Sequence, residues 1–166
     1  MIIILMGVSG SGKTTVGQQL AADLSWPYSD GDDFHSLKNI AKMSSGIPLS
    51  DQDRSVWLKQ INQYLTKLVR TRQSAIISCS ALKQQYRRQL QINSELIKFV
   101  YLKGSKELIK KRLASRTGHF MKAELLASQF ESLEEPENAM IVEVNRSPEQ
   151  ISTDIQEYFG LSPSTN

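Results

Sequence analysis

Apolar residues follow two alternating patterns along this chain: short continuous runs, and longer stretches in which they recur at helical spacing. Continuous runs are typical of strands that are buried on both faces of a sheet. Four clear runs lie at 2–6, 75–80, 97–102 and 139–144, and a weaker one lies at 26–30. Helical spacing relates four sets of residues: Val16, Leu20, Ala21 and Leu24; Trp57, Leu58, Ile61, Leu65 and Leu68; Leu108, Ile109, Arg112 and Leu113; and Ile151, Ile155, Tyr158 and Phe159.

Strands that alternate with helices predict an α/β fold in which helices cover both faces of a parallel sheet. The pattern indicates about five strands in a three-layer arrangement. The second helical stretch is preceded by Ser50 and Asp51, which are typical of a helix N-cap. Because the 166 residues contain no Pro-, Gly- or Ser-rich linker, we expect a single domain over 1–166.

Composition and charge limit the classes of ligand that the protein is expected to bind. The 20 Lys and Arg residues exceed the 17 Asp and Glu residues by three, a basic excess that suits a protein handling anions. Nucleic-acid binding requires basic residues clustered on one face, and this small excess does not indicate it. We therefore expect a small-molecule partner and no nucleic acid.

The single cysteine and the first apolar run bear on location. Cys79 cannot form an intramolecular disulfide, which is consistent with a reducing compartment, and its apolar neighbours predict a buried structural thiol. The run at 2–6 is far shorter than the roughly 20 residues of a membrane helix, and it leads into glycines rather than a cleavage site. These features predict a cytoplasmic protein that does not interact with membranes.

The most specific motif directly follows the first predicted strand. The segment G-V-S-G-S-G-K-T at 7–14 matches the pattern G-x-x-x-x-G-K-S/T in full, and a predicted helix begins near its lysine. Glycines let backbone N–H groups converge on phosphate oxygens, and the helix adds the positive end of its dipole. The alternative is a strand-to-helix turn that binds nothing, but the complete motif in this context predicts ATP binding by Gly7, Val8, Ser9, Gly10, Ser11, Gly12, Lys13 and Thr14.

Two residues of this loop have more particular expected roles. Lys13 is predicted to reach the β- and γ-phosphates and to act in catalysis, and the Thr14 hydroxyl is predicted to bind Mg²⁺. The chain has no N-K-x-D motif, so a switch GTPase is excluded. The run at 75–80 also ends in small polar residues, whereas motor ATPases usually place a magnesium-binding acid there.

Acidic residues are concentrated after the second predicted strand, in S-D-G-D-D-F-H at 29–35. In a parallel sheet this is the carboxyl edge, where ligands bind. Asp30, Asp32 and Asp33 can hold magnesium-bound water, bind hydroxyls or accept a proton from an attacking alcohol. The alternative is a solvated turn or a helix cap, for which Asp33 is the best candidate.

Several segments in the same order resemble the gluconokinase family: GVSGSGKTT, DGDDFHSLKNIAKMSSGIPLSDQDRSVWL, SCSALKQQYRRQL, FVYLKG and RTGHFMKAELLASQFESLEEP. The resemblance implies a three-layer P-loop NTPase fold with a mobile lid at about 112–130, similar to nucleoside-monophosphate and shikimate kinases. It implies transfer of the γ-phosphate of ATP to the 6-hydroxyl of D-gluconate, with Mg²⁺ and commonly as a homodimer. Val56 stands where the family usually has proline, a change expected to affect the first turn of a helix more than the chemistry.

The resemblance also implies roles for individual acceptor-site residues. Asp32 is expected to be the base that faces the 6-hydroxyl, and Asp30 to bind magnesium through water, although the reverse assignment is open. His35 either binds substrate or has a structural role. Arg54 and Lys83 are expected to bind the substrate, with an ion pair between Arg54 and Asp51 or Asp53 as the alternative, since arginine binds carboxylates in a bidentate manner.

Arginines of the predicted lid complete the expected site. Arg112 and Arg116 are four residues apart and share a helix face if the helix continues, with Gly118 as a hinge. Arg116 is expected to stabilise the transferring phosphoryl group, and Arg112 and Arg146 to bind the nucleotide. The alternative is an ordinary basic helix. Other acceptors, such as shikimate or a nucleoside monophosphate, and a non-catalytic ATP-binding module are the remaining candidate functions.

Overall fold

Five parallel strands form the sheet of the computed structural model, across the residues that it describes, 1–115 and 123–162. The strands are β1 (Ile2–Met6), β2 (Tyr28–Asp30), β3 (Ala75–Ser78), β4 (Ile97–Lys103) and β5 (Met140–Glu143). Their order in the sheet is β2-β3-β1-β4-β5, so β1 is central, and Ile4 pairs with both Ile77 and Phe99. This arrangement confirms the predicted parallel α/β sheet.

Each of the four apolar stripes predicted from the sequence lies on a helix, and no predicted stripe marks α2 (Leu37–Ser44), α4 (Gln84–Leu90) or α6 (Ala123–Ser132). A short 3-10 helix, Gly31–Phe34, follows β2. The exposed side chains of Leu37 and Ile40 on α2 explain why its apolar positions give no core-facing pattern. In the described residues the α-helices are α1 (Lys13–Leu24), α2 (Leu37–Ser44), α3 (Asp51–Arg70), α4 (Gln84–Leu90), α5 (Lys106–Ala114), α6 (Ala123–Ser132) and α7 (Pro148–Phe159).

The core forms two layers, one on each face of the sheet, because side chains alternate along β1. Ile2, Ile4 and Met6 pack in one layer with buried residues of α3 and α4. Ile3 and Leu5 pack in the other layer with residues of α1, α5 and α7. The three layers predicted from the sequence are therefore present.

The start of α3 corrects one expectation from the sequence. Ser50 caps the helix: its hydroxyl accepts from the Asp53 N–H at 3.2 Å, and the Ser50 N–H donates to the Asp53 carboxylate at 3.0 Å. Because the helix begins at Asp51, Val56 lies in its second turn, and the expected effect on the first turn is wrong. Valine supplies the backbone N–H that proline lacks in a helix interior.

Cys79 directly follows β3 and is buried, as predicted from its apolar neighbours. Burial raises the pKa of its thiol to about 12. Among the described helices, none has both the length and the apolar character of a membrane span.

Candidate active site

The phosphate-binding loop is shaped by three glycines with left-handed backbone angles. Gly7, Gly10 and Gly12 have φ values of 143°, 82° and 97°. A Cβ on Gly7 would also lie 2.8 Å from the Leu102 carbonyl oxygen, so this position requires glycine on two grounds. The helix α1 begins at Lys13, which places its N-terminus against the loop, as the motif predicts.

Lys13 and Thr14 project from this helix end toward two different parts of the site. The Lys13 ammonium donates to the carbonyl oxygens of Gly7 and Val8, each at 2.9 Å. The Thr14 hydroxyl donates to Asp30 Oδ2 at 3.0 Å. The structure thus joins the phosphate loop directly to the acidic edge that follows β2.

Asp30 is held by several donors. Its Oδ1 accepts from the Asp32 N–H at 3.1 Å, and its Oδ2 lies 3.1 Å from the Tyr28 hydroxyl. Desolvation acts to raise its pKa, but hydrogen bonds from the Asp32 N–H, Ser78, Thr14 and Tyr28 outweigh it and lower the pKa below its ordinary value. Asp30 is also the N-cap of the 3-10 helix, and Ser36 is the N-cap of α2, so Asp33, the best candidate under the alternative of a helix cap, caps neither helix.

Gly31 allows the acidic turn to pack tightly against the end of β3. A Cβ at this position would lie 2.3 Å from the Ser78 carbonyl oxygen, well inside van der Waals contact. The Gly31 carbonyl accepts a 2.6 Å hydrogen bond from the buried indole of Trp57. The glycine therefore fixes the positions of its two acidic neighbours.

Asp32 has the opposite electrostatic environment from Asp30. Its side chain is 78% exposed. Partial desolvation by the surrounding protein, followed by the charge of Asp30, raises its pKa, and the Lys13 charge opposes the rise. Two neighbouring carboxylates whose pKa values move apart are typical of a site with one permanently ionised acid and one proton acceptor.

His35 lies between the acidic turn and α3. Its ring stacks on Trp57 with the centroids 4.4 Å apart, and its Nε2 lies 3.8 Å from Asp32 Oδ1. Only 4% of the side chain is exposed. Burial, followed by the charge of Arg54, lowers its pKa to about 4, so the ring is neutral at physiological pH.

This environment makes the stability of the protein dependent on His35 at mildly acidic pH. The unfolded chain takes up a proton below the ordinary histidine pKa of 6.5, whereas folded His35 does so only near 4. Stability therefore falls as the pH falls, by about 2 kcal/mol from this residue between about pH 7.5 and about pH 5. Urea unfolding at both pH values should show a smaller difference for His35→Gln, and an unchanged difference would contradict this assignment.

Arg54 and Lys83, predicted as substrate ligands, come together around Asp51 and Tyr86. Lys83 Nζ donates to both Asp51 oxygens, at 3.0 and 3.2 Å, and Arg54 Nη1 lies 4.0 Å from Asp51 Oδ1. The Tyr86 hydroxyl donates to the same carboxylate. These bonds, from Tyr86 first and then Lys83, lower the pKa of Asp51. Of the two alternative partners for Arg54, Asp51 is the one in contact, while Asp53 pairs with Lys42 at 2.7 Å.

Sequence reasoning missed Tyr86 and the role of Arg87. Lys83 is the N-cap of α4, and Tyr86 lies three residues later on this helix. Residues at this spacing share a helix face, and this was the signal in the sequence that could have placed Tyr86 beside Lys83. Arg87 is buried and donates to the carbonyl oxygens of Ala81 and Leu82 at 3.0 and 2.9 Å. It therefore holds the segment that carries Lys83 to the carboxyl edge of the sheet.

The predicted nucleotide-binding arginines line one cavity of about 280 Å³ beside the phosphate loop. Gly10, Ser11 and Gly12 line it together with Arg112 and Arg146. Arg112 donates to the Val144 carbonyl, and Arg146 pairs with Asp154. The cavity thus adjoins the phosphate loop, and its arginines follow β4 and β5 rather than β2.

Part of the predicted lid lies outside the described residues, which have a gap at 116–122. Arg116 and Gly118 fall in this gap, so their roles stay predictions. The helix α5 ends at Ala114 with Ser115 as its C-cap, so Arg112 lies in its last turn.

Thr14 and Asp30 have the donor chemistry that Mg²⁺ requires. Both present hard oxygen atoms, and they already lie 3.0 Å apart. Among the described residues no group of three His, Cys, Asp or Glu side chains forms a metal cage. Mg²⁺ is usually held by one or two protein groups together with water and substrate phosphates, so these two oxygen donors suit it.

Transfer of a nucleotide's terminal phosphate to a small alcohol is the chemistry for which this site is arranged, and the protein is a P-loop small-molecule kinase. The sequence model described as "Shikimate kinase" matches residues 9–159. A thermosensitive gluconokinase of Escherichia coli strain K12 is 52% identical over 81% of this chain and 72% of its own length. A probable gluconokinase of Xenopus tropicalis is 42% identical over 94% of this chain and 92% of its own. The chain belongs to the gluconokinase family.

Solved structures agree with this assignment. A gluconokinase from Sinorhizobium meliloti 1021 is 38% identical with a TM-score of 0.83, over 95% of this chain and 94% of its own. An unliganded sugar kinase from Janibacter sp. HTCC2649 is also 38% identical, with a TM-score of 0.89 over 98% and 96% of the two chains. Shikimate kinase from Aquifex aeolicus vf5, at 18% identity and a TM-score of 0.59, shares the fold alone, with coverage of 96% of each chain.

Proposed function

We propose that this chain transfers the γ-phosphate of ATP to the 6-hydroxyl of D-gluconate, giving 6-phospho-D-gluconate. The observation that carries the proposal is the contact between Thr14 and Asp30, which joins the phosphate loop to the acidic turn. Because Asp32 follows in the same turn, an alcohol bound there lies beside the end of the triphosphate. Membership of the gluconokinase family supports gluconate as the acceptor.

Each part of the site then has a role in positioning and charge stabilisation. The Lys13 ammonium and the N–H groups of the phosphate loop, apart from the Ser9 N–H that donates to Gln129, bind the phosphates. Asp32 accepts the proton of the attacking hydroxyl. When bound through Thr14 and Asp30, Mg²⁺ neutralises phosphate charge. Arg112 and Arg146 flank the nucleotide, and Arg116 is proposed to stabilise the transferring group.

The acceptor has one carboxylate and five hydroxyls, and the cluster around Asp51 suits its carboxylate end. Arg54 and Lys83 supply two cations within 6 Å of the Tyr86 ring centroid. The Asp51 carboxylate contacts both cations, so their arrangement already accommodates a carboxylate group. His35 is neutral and borders Asp32, so we assign it to the hydroxyl-binding wall.

Removing one of these cations should weaken acceptor binding with little effect on ATP. We expect Lys83→Met to raise KM for gluconate by about 10- to 100-fold, because one charge-assisted hydrogen bond is lost. Lys59→Met, at an exposed position of α3, is the matched control and should leave KM unchanged. Steady-state kinetics with each substrate varied would contradict the assignment if Lys83→Met and Lys59→Met behave alike.

The acceptor itself is tested by ADP release with ATP and Mg²⁺ against a panel of gluconate, related sugar acids, shikimate and no acceptor. Turnover that depends on gluconate supports the proposal. Turnover with shikimate alone identifies a different acceptor for the same chemistry. Equal ADP release with and without every acceptor indicates an ATP-binding module that does not phosphorylate a small alcohol.

Quaternary structure, location and the lid are proposed together with this function. We infer a homodimer from the family resemblance and from four exposed apolar side chains between residues 37 and 56: Leu37, Ile40, Ile47 and Val56. Sedimentation velocity tests it.

A cytoplasmic location is supported by the buried free thiol of Cys79. We further propose one domain over 1–166, with a lid at about 112–130 that closes over the triphosphate.

A further inference from the structure

Gln129 makes a two-sided contact with the phosphate loop. The Ser9 N–H donates to Gln129 Oε1 at 2.7 Å, and Gln129 Nε2 donates to the Ser9 hydroxyl at 3.2 Å. The two residues are 120 positions apart in the sequence, on the loop after β1 and on α6. The family resemblance includes the S-Q-F segment that contains Gln129, but it assigned no role to this side chain.

Contacts along the loop indicate which end of a bound triphosphate Ser9 is expected to face. The Lys13 ammonium, whose partner in such loops is the β- and γ-phosphates, lies at the carbonyl oxygens of Gly7 and Val8. The nucleotide cavity with Arg112 and Arg146 begins at Gly10. Ser9 lies between these two regions, next to the Lys13 end. Gln129 therefore contacts the loop near the expected position of the γ-phosphate.

Gln129 lies at the C-terminal end of the proposed lid, on a part of α6 that is anchored in the core. Leu126, one turn earlier on α6, is buried at 2% exposure and belongs to the core layer that includes α1 and α7. Phe130 packs against the same layer. Gly7 and Gly10, which lie on either side of Ser9, allow the loop backbone many conformations. A hydrogen bond from a side chain on an anchored helix restricts the loop to one of them.

We propose that Gln129 is a positioning residue for phosphoryl transfer, fixing the Ser9 peptide so that the γ-phosphate end of the loop keeps its catalytic shape. The inference rests on the proposed kinase function. Electrostatic stabilisation depends on donors that are already in place before the reaction, so a loosened loop slows transfer. ATP affinity depends on the remainder of the loop and on the adjoining cavity, which Gln129 does not contact in the described structure.

The test compares three variants at the contact with one control. Gln129→Ala removes both hydrogen bonds, Ser9→Ala removes only the one to the hydroxyl, and the double variant measures their coupling. Gln91→Ala is the matched control, since the Gln91 amide donates to a backbone carbonyl, that of Ile97, at 3.1 Å. For each protein, kcat, KM for ATP, the Kd for ADP and the melting temperature are measured.

We expect Gln129→Ala to lower kcat by about 10- to 100-fold while KM for ATP and the Kd for ADP change by less than about 3-fold. Ser9→Ala should cost less, and it should add little in the double variant. A kcat within about 2-fold of wild type, or a loss matched by Gln91→Ala or by weaker ADP binding, would overturn the proposal. Wild-type turnover with gluconate tests the function separately, and if another acceptor is the substrate, the same ratios are measured with it.

Discussion

Replacing Asp32 by asparagine is expected to lower kcat for gluconate by about 10²- to 10⁴-fold while ATP affinity stays close to that of the wild type. Asparagine has nearly the same shape and keeps the backbone N–H that bonds to Asp30, but it cannot accept the proton. Steady-state kinetics and ADP titration separate the two quantities. Asp33→Asn is the matched control, because Asp33 is exposed in the same turn and should retain most activity.

The pH dependence of kcat/KM for the wild-type protein is a second test of Asp32 as the base. A base works when it is deprotonated, so kcat/KM falls as the pH falls through the pKa of Asp32. Desolvation and the charge of Asp30 raise that pKa above its ordinary value of 3.8, which moves the acidic limb to higher pH. If Asp32→Asn keeps more than about a tenth of the wild-type kcat, Asp32 is not the base.

Replacing Gly31 by alanine is expected to destabilise the protein by about 1 to 3 kcal/mol and to reduce activity sharply. The new Cβ would lie 2.3 Å from the Ser78 carbonyl oxygen and 3.3 Å from the Cys79 Cα, and both atoms belong to the backbone. The turn must therefore move away from β3, and it carries Asp30 and Asp32 with it. Urea unfolding measures the stability change, and kcat measures the displacement of the carboxylates.

Gly160→Ala is the control for this prediction. Gly160 has a φ of 62°, and a Cβ there meets nothing within 4 Å, so the substitution introduces left-handed strain without a steric clash. We expect a loss of about 1 kcal/mol in stability and an unchanged kcat. If Gly31→Ala also leaves kcat unchanged, the close packing of the acidic turn does not position the catalytic carboxylates.

Local motifs account for what could be predicted from the sequence. The phosphate loop is one continuous segment whose glycines, lysine and threonine each have a required backbone or side-chain role, so its sequence identifies it. The buried runs likewise predict the strands, because a strand covered on both faces needs an uninterrupted apolar sequence. Boundaries moved by a few residues: β2 begins at Tyr28 rather than at residue 26, and β3 ends at Ser78 rather than at residue 80.

Features that depend on distant contacts could not be predicted in this way. Asp30 rather than Asp33 is the cap because β2 ends beside α1, where Thr14 and Tyr28 hold the same carboxylate. The cluster of Arg54 and Lys83 forms around Asp51 because α3 and the segment after β3 meet in space. Gln129 reaches Ser9 across 120 residues, and no spacing rule in the sequence indicates such a pair.

The strand order separates the two ligands of this kinase across its central strand. The proposed acceptor residues follow β2 and β3, on one side of β1, whereas the proposed nucleotide cavity is completed by residues after β4 and β5, on the other. The Thr14–Asp30 contact is the bridge between the two sides. We therefore expect substitutions beyond this bridge, among the proposed acceptor residues, to change which alcohol is bound while ATP binding is retained.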